Sequence, residues 1–173
     1  MLKKAIIILI ISTCISGTTF AQEHLRFVTF ANDINSDKND SNAYVNATIS
    51  SNTQLAACPS NPSDDSDCDS FGDCYYLAKP TAIYGQVIKL NICSKIKANK
   101  DIKAVILNFT NIVDNTSYDV GTANCRVKYQ DHDTRKMECS FNTENTDYKI
   151  EDKNKHKTPH NGKDKTYKII EDS

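Results

Sequence analysis

The 173-residue chain has no tryptophan, two methionines, four prolines and five glycines. Beyond the first twenty residues only Gly72, Gly85, Gly121 and Gly162 remain, and they are scattered, which excludes a glycine-rich phosphate cradle. The G-x-S-x-G turn of the serine hydrolases and the H-E-x-x-H zinc helix are both absent. After residue 21 no apolar run approaches the roughly 20 residues that a membrane-spanning helix needs. A basic surface interleaved with aromatics is missing too. The lysines after Lys153 are joined by Tyr167 alone, and an acidic half of the chain would repel phosphates, so nucleic acid is a poor partner.

What the chain does have begins with its first residues. Lys3 and Lys4 precede an unbroken apolar run from Ala5 to Ile11, and Thr19-Phe20-Ala21 has the small-x-small form of a cleavage site. Residues 1–21 therefore read as an export signal, leaving 22–173 as one mature domain that is secreted, periplasmic or at the cell surface. Ile11-Ser12-Thr13-Cys14 also resembles the bacterial lipobox, with Thr13 departing from the usual Gly or Ala. That resemblance implies a second reading, a lipid anchor on Cys14.

Six cysteines follow: Cys58, Cys68, Cys74, Cys93, Cys125 and Cys139. An even number in an exported chain reads as three disulfides. None of their gaps has the C-x2-C or C-x4-C spacing of zinc sites. Charge is unevenly spread. Residues 32–73 hold eight aspartates and one lysine, whereas 153–168 hold six lysines and one aspartate. Such a dipolar molecule is constrained in its partners, not in its fold.

Period-two patterns dominate, as in "AYVNATIS", where Ala43, Val45, Ala47 and Ile49 share one face. "HLRFVTFA", "AIYGQVIKLNI", "DIKAVILNF", "NCRVKYQ", "RKMECSF", "DYKIE" and "TYKII" complete eight or nine short strands. The fold class this predicts is all-β, an antiparallel β-sandwich of the immunoglobulin-like or jelly-roll-like kind. "DIKAVILNF" is apolar on both faces and belongs at the centre of a sheet. Two long polar connections stand out, an acidic cysteine-rich loop over 50–74 and a lysine-rich hairpin loop over 153–165.

One cysteine pair can be placed by register. Folding the chain about Asp131-His132-Asp133 sets Cys125 opposite Cys139 and Val127 opposite Met137, so inward residues meet inward residues. For the other four, closure of the acidic segment by Cys58 or Cys68 to Cys74 is expected, with the remaining one tied to Cys93. Spacing does not choose between these.

The acidic segment also carries the candidate site. Asp65, Asp67 and Asp69 have the D-x-D-x-D spacing with which calcium loops begin, and Asp73 lies nearby. The calcium-loop pattern then wants Gly and Glu where Ser70 and Tyr76 stand, so any calcium would bind weakly. A solvated acidic turn is the competing reading. Asp64, Tyr75 and Tyr76 would complete a binding surface for a protein or glycan. The histidines offer little: His132 falls at a hairpin tip, and Thr158-Pro159 separates His156 from His160. No catalytic residue is assigned. The expected function is an exported, disulfide-stabilised binding module with no cofactor unless it is calcium. A small exported hydrolase, or a toxin or enzyme inhibitor with a disulfide-locked loop, are the alternatives.

Overall fold

A computed structural model of the chain describes residues 24–34, 42–94, 103–130, 134–143, 145, 147–153 and 164–172; side chains at 24, 128–130, 134–136 and 164 are not described. Residues 1–23 with Cys14, residues 131–133 with His132, and residues 154–163 with His156 and His160 lie outside the described residues.

The alternating segments form strands in two sheets. One sheet contains β1 (His24–Asn32), β3 (Ala56–Ala57), β4 (Cys74–Lys79), β6 (Val87–Ser94), β10 (Tyr148–Asp152) and β11 (Asp164–Glu171), in the order β10-β11-β1-β6-β4-β3. The other contains β2 (Ala43–Ile49), β5 (Thr81–Ala82), β7 (Val105–Val113), β8 (Thr116–Gln130) and β9 (Thr134–Asn142), in the order β5-β2-β7-β8-β9. Their inner faces share one core. Val28, Phe30, Ile88, Leu90, Ile92 and Ile169 come from the first sheet, and Val45, Val105, Leu107, Phe109, Val120 and Ala123 from the second. Phe30 sits at its centre, with Phe109 at 4.8 Å and Tyr167 at 5.6 Å between ring centroids.

The expected all-β class and pairing of sheets hold, but three details need correction. The described residues form eleven strands, not eight or nine. The first sheet is mixed rather than antiparallel, because β1 runs parallel to β11 and β3 runs parallel to β4. Parallel neighbours need a crossover instead of a hairpin; between β3 and β4 it is a short helix, α1 (Asp65–Phe71). "AIYGQVIKLNI" is also not one strand. The chain turns at Tyr84-Gly85, where Gly85 has φ 76°, so β5 joins one sheet and β6 the other.

Other expectations match. β7 is the middle strand of its sheet, with Val105, Leu107 and Phe109 fully buried; Ile106, on the opposite face, is half-buried. β7 turns into β8 through Asp114 (φ 50°) and Asn115 (φ 64°), the left-handed pair that a two-residue hairpin requires. β8 pairs with β9 with Cys125 against Cys139 and Val127 against Met137. A disulfide joins the two cysteines, whose Cα atoms are 4.0 Å apart. β10 and β11, formed by "DYKIE" and "TYKII", pair antiparallel.

β9, the last strand of its sheet, meets the other sheet through Phe141, which packs against Phe30 and Tyr167, and through a backbone hydrogen bond. The backbone N–H of Cys139 donates to the Tyr167 hydroxyl of β11 at 2.9 Å. Burial pushes that hydroxyl from its ordinary 10.0 up to about 12.

Candidate functional site

The acidic segment folds as α1, lying against the outer face of the mixed sheet. Asp64 starts the helix as its N-cap, accepting hydrogen bonds from the N–H groups of Ser66 and Asp67. Gly72 (φ 74°) ends it, its N–H donating to the Cys68 carbonyl at 2.9 Å. A helix of seven residues has little stability alone. Cys68 and Phe71 fall three apart, on the side that turns toward the sheet. Cys68 is bonded to Cys93 on β6, and Cys58, before the helix, is bonded to Cys74 on β4. Of the pairings left open by spacing, this is the one with Cys58 closing the acidic segment.

Beneath the helix is a second apolar cluster, separate from the sandwich core. It contains Leu25, Cys58, Cys68, Cys74 and Cys93, flanked by Phe27, Phe71 and Tyr76. The Lys89 ammonium lies 4.2 Å from the centre of the Phe27 ring and covers that side. Asp65 ties the helix to β1 by accepting from the Leu25 N–H at 2.7 Å. Asn91, 2% exposed on the same sheet face, donates through Nδ2 to Asn61 Oδ1 at 2.8 Å. Its own Oδ1 is buried with no hydrogen-bond partner among the described residues.

The aspartates do not converge. On a helix, residues two apart point about 200° away from each other, so Asp67 is directed away from Asp65 and Asp69. Asp67 accepts from the Ser63 N–H and hydroxyl at 2.6 and 2.7 Å, which holds its carboxyl below the ordinary carboxylate value. The Ser66 hydroxyl does the same for Asp64, at 2.6 Å. Among the described residues no three carboxylates from different residues bring oxygens within 4.8 Å of one another. A shared calcium site is therefore not pre-assembled among these carboxylates. Asp64, Asp69 and Asp73 are exposed.

Tyr75 and Tyr76 stand on β4, not on a loop. Tyr75 packs against the sandwich core and Tyr76 against the cluster under α1. Sequence reasoning missed Leu25, Phe27, Lys89 and Asn91 as parts of this site. The last two carried a signal, since Lys89, Asn91 and Cys93 alternate along one strand and must share a face.

Elsewhere, a shallow depression of about 220 Å³ on the outer face of β8 and β9 is lined by Asn124, Arg126, Glu138, Cys139 and Ser140. Asn124 Oδ1 accepts from Arg126 Nε at 3.2 Å.

No protein-family model matches the chain, and no curated protein matches it. Among solved structures it is similar to the crystal structure of RahU protein in complex with a TRIS molecule, at 15% identity and a TM-score of 0.42, over 89% of this chain and 98% of that one. A likeness at this level carries no argument about ligand or activity. Three disulfides fit an extracellular or periplasmic protein. No described helix is long and apolar enough to cross a membrane.

Proposed function

We propose that the protein is an exported binding module, released by cleavage near Ala21, whose contact surface is α1 with the turn before it. The observation that carries this reading is the double covalent anchoring of a polar surface segment over its own small cluster. The sandwich core packs without that cluster, so the two bonds serve to fix the shape of a surface. A surface fixed in advance loses less conformational freedom when it binds. Its outward residues include Ser60, Asn61, Ser63, Asp64, Ser66, Asp69 and Asp73. The partner that suits them is a protein surface bearing lysine or arginine, attracted more strongly at low salt.

The test is capture of partners from envelope or host extracts by the immobilised, oxidised protein. Binding should weaken severalfold between low and high salt, and again when Asp69 and Asp73 are both changed to Asn. Retention that ignores both would sink the reading.

A further inference from the structure

The two disulfides beneath α1 are in contact with each other. Sγ atoms of Cys58, Cys74 and Cys93 lie within 4.8 Å of one another, although Cys58 is bonded to Cys74 and Cys93 to Cys68. Cys74 and Cys93 are also direct register partners across β4 and β6. That is the relation in which Cys125 and Cys139 are joined elsewhere in the molecule. A third pairing, Cys74 to Cys93, is therefore open with both strands left in place.

We propose that these four cysteines form a thiol–disulfide relay in which one two-electron reduction unfastens the whole α1 segment from the sheet. Exposure sets the point of entry. Cys58 is 7% exposed, Cys74 3%, and Cys68 and Cys93 are fully buried. An external thiolate attacks Cys58 Sγ, forming a mixed disulfide there and expelling Cys74 as a thiolate. Cys74 then attacks Cys93 Sγ in the neighbouring disulfide. The Cys74–Cys93 bond forms, the Cys68–Cys93 bond breaks, and Cys68 leaves as a thiolate that takes a proton from water. A second external thiol resolves the mixed disulfide, leaving Cys58 as a free thiol. Two external thiols have become one disulfide, and the protein has exchanged two disulfides for one bond and two thiols.

The consequence is mechanical. Both covalent anchors of α1 are lost together, while β4 and β6 stay stapled. Leu25, Phe27 and Tyr76 lose their cover, and the unpartnered Asn91 Oδ1 regains water. Oxidised and reduced forms then present different faces at one place: a polar helix in one, an apolar strip of sheet in the other. This goes beyond the proposed binding role and stands without it.

Disulfide mapping of the leaderless protein after limited treatment with dithiothreitol tests the relay. Acid quenching, alkylation and peptic digestion prevent later scrambling, because the attacking species is the thiolate. The expected two-thiol species is alkylated at Cys58 and Cys68 and yields a linked Cys74–Cys93 peptide. Alkylation at Cys58 and Cys74 with Cys68–Cys93 intact would overturn the relay. So would the loss of both α1 disulfides to four thiols with no intermediate holding a Cys74–Cys93 bond. The Cys58→Ser/Cys74→Ser protein removes the entry bond, and its Cys68–Cys93 bond should survive at least tenfold longer than in the parent. Equal rates of loss would also overturn the relay.

Discussion

The sandwich core and the cluster beneath α1 both bury cystine, in very different company. In the core, Cys125–Cys139 is one cross-link among twenty-one buried residues contributed by both sheets. Beneath α1, four of the five buried residues are cysteines, and the helix above them is too short to persist alone. Apolar packing builds the first region, and covalent bonds build the second. A disulfide can thus ornament a structure or substitute for a core, and the surrounding burial tells which.

The sharpest way to break this comparison is to damage the core itself. Phe30→Ala removes a fully buried ring that touches Phe109 and Tyr167 and should cost about 3–5 kcal/mol by chemical denaturation. A cost below about 1 kcal/mol would show that packing does not carry the sandwich. Removing the Cys68–Cys93 bond by Cys68→Ala/Cys93→Ala should act locally. Amides of 64–72 should exchange at least tenfold faster while those of β7 and β8 keep their protection; the chain-entropy value for such a loop, about 3.5 kcal/mol, bounds the effect. Equal acceleration throughout would mean that α1 and the sandwich unfold as one unit.

Tyr167→Phe comes next, expected to cost about 1–3 kcal/mol because the Cys139 N–H loses its acceptor. The sign of its pH dependence follows from a raised value. The neutral hydroxyl is the form the fold holds, so its contribution is complete below pH 10.0 and is lost as pH climbs toward about 12. The Phe variant should lack that alkaline limb in pH-dependent denaturation. Asp64 and Asp67 have lowered values, so their contribution is present above the ordinary 3.8 and disappears as pH falls through the depressed ones. Fraying of α1 below pH 3.8, followed by amide exchange, should be blunted in Asp64→Asn, a neutral residue that still caps. The smallest effect is expected from calcium: millimolar Ca²⁺, with or without EDTA, should leave the melting temperature unchanged. A calcium-dependent rise of several degrees, abolished by Asp67→Asn/Asp69→Asn, would restore the shared-ion reading.

Legibility in the sequence followed the same division. The β8–β9 register could be read because a short hairpin, face parity and two cysteines constrain one another within fifteen residues. The strand "CYYLAK" escaped notice, since it has apolar residues on both faces and lies directly after an aspartate-rich stretch. α1 escaped because Asp and Ser are poor helix formers and seven residues show no period. Its cap and stop residues, Asp64 and Gly72, were visible but look the same in a turn. The split of "AIYGQVIKLNI" was hidden because alternation continues on both sides of Gly85 while the strand's partner changes.

The chain by itself determined the all-β class, the central place of Val105–Val113, and the Cys125–Cys139 pairing. Each rests on alternation or on contacts between near neighbours. Tertiary structure alone decided the parallel strands β1 and β11, the pairing of Cys58 with Cys74 and of Cys68 with Cys93, and the separation of the aspartates. The first joins segments more than a hundred residues apart, of which a local pattern holds no record; the cysteine pairings depend on which strands the acidic segment lies against, and the aspartates on its folding as a helix too short to show a period.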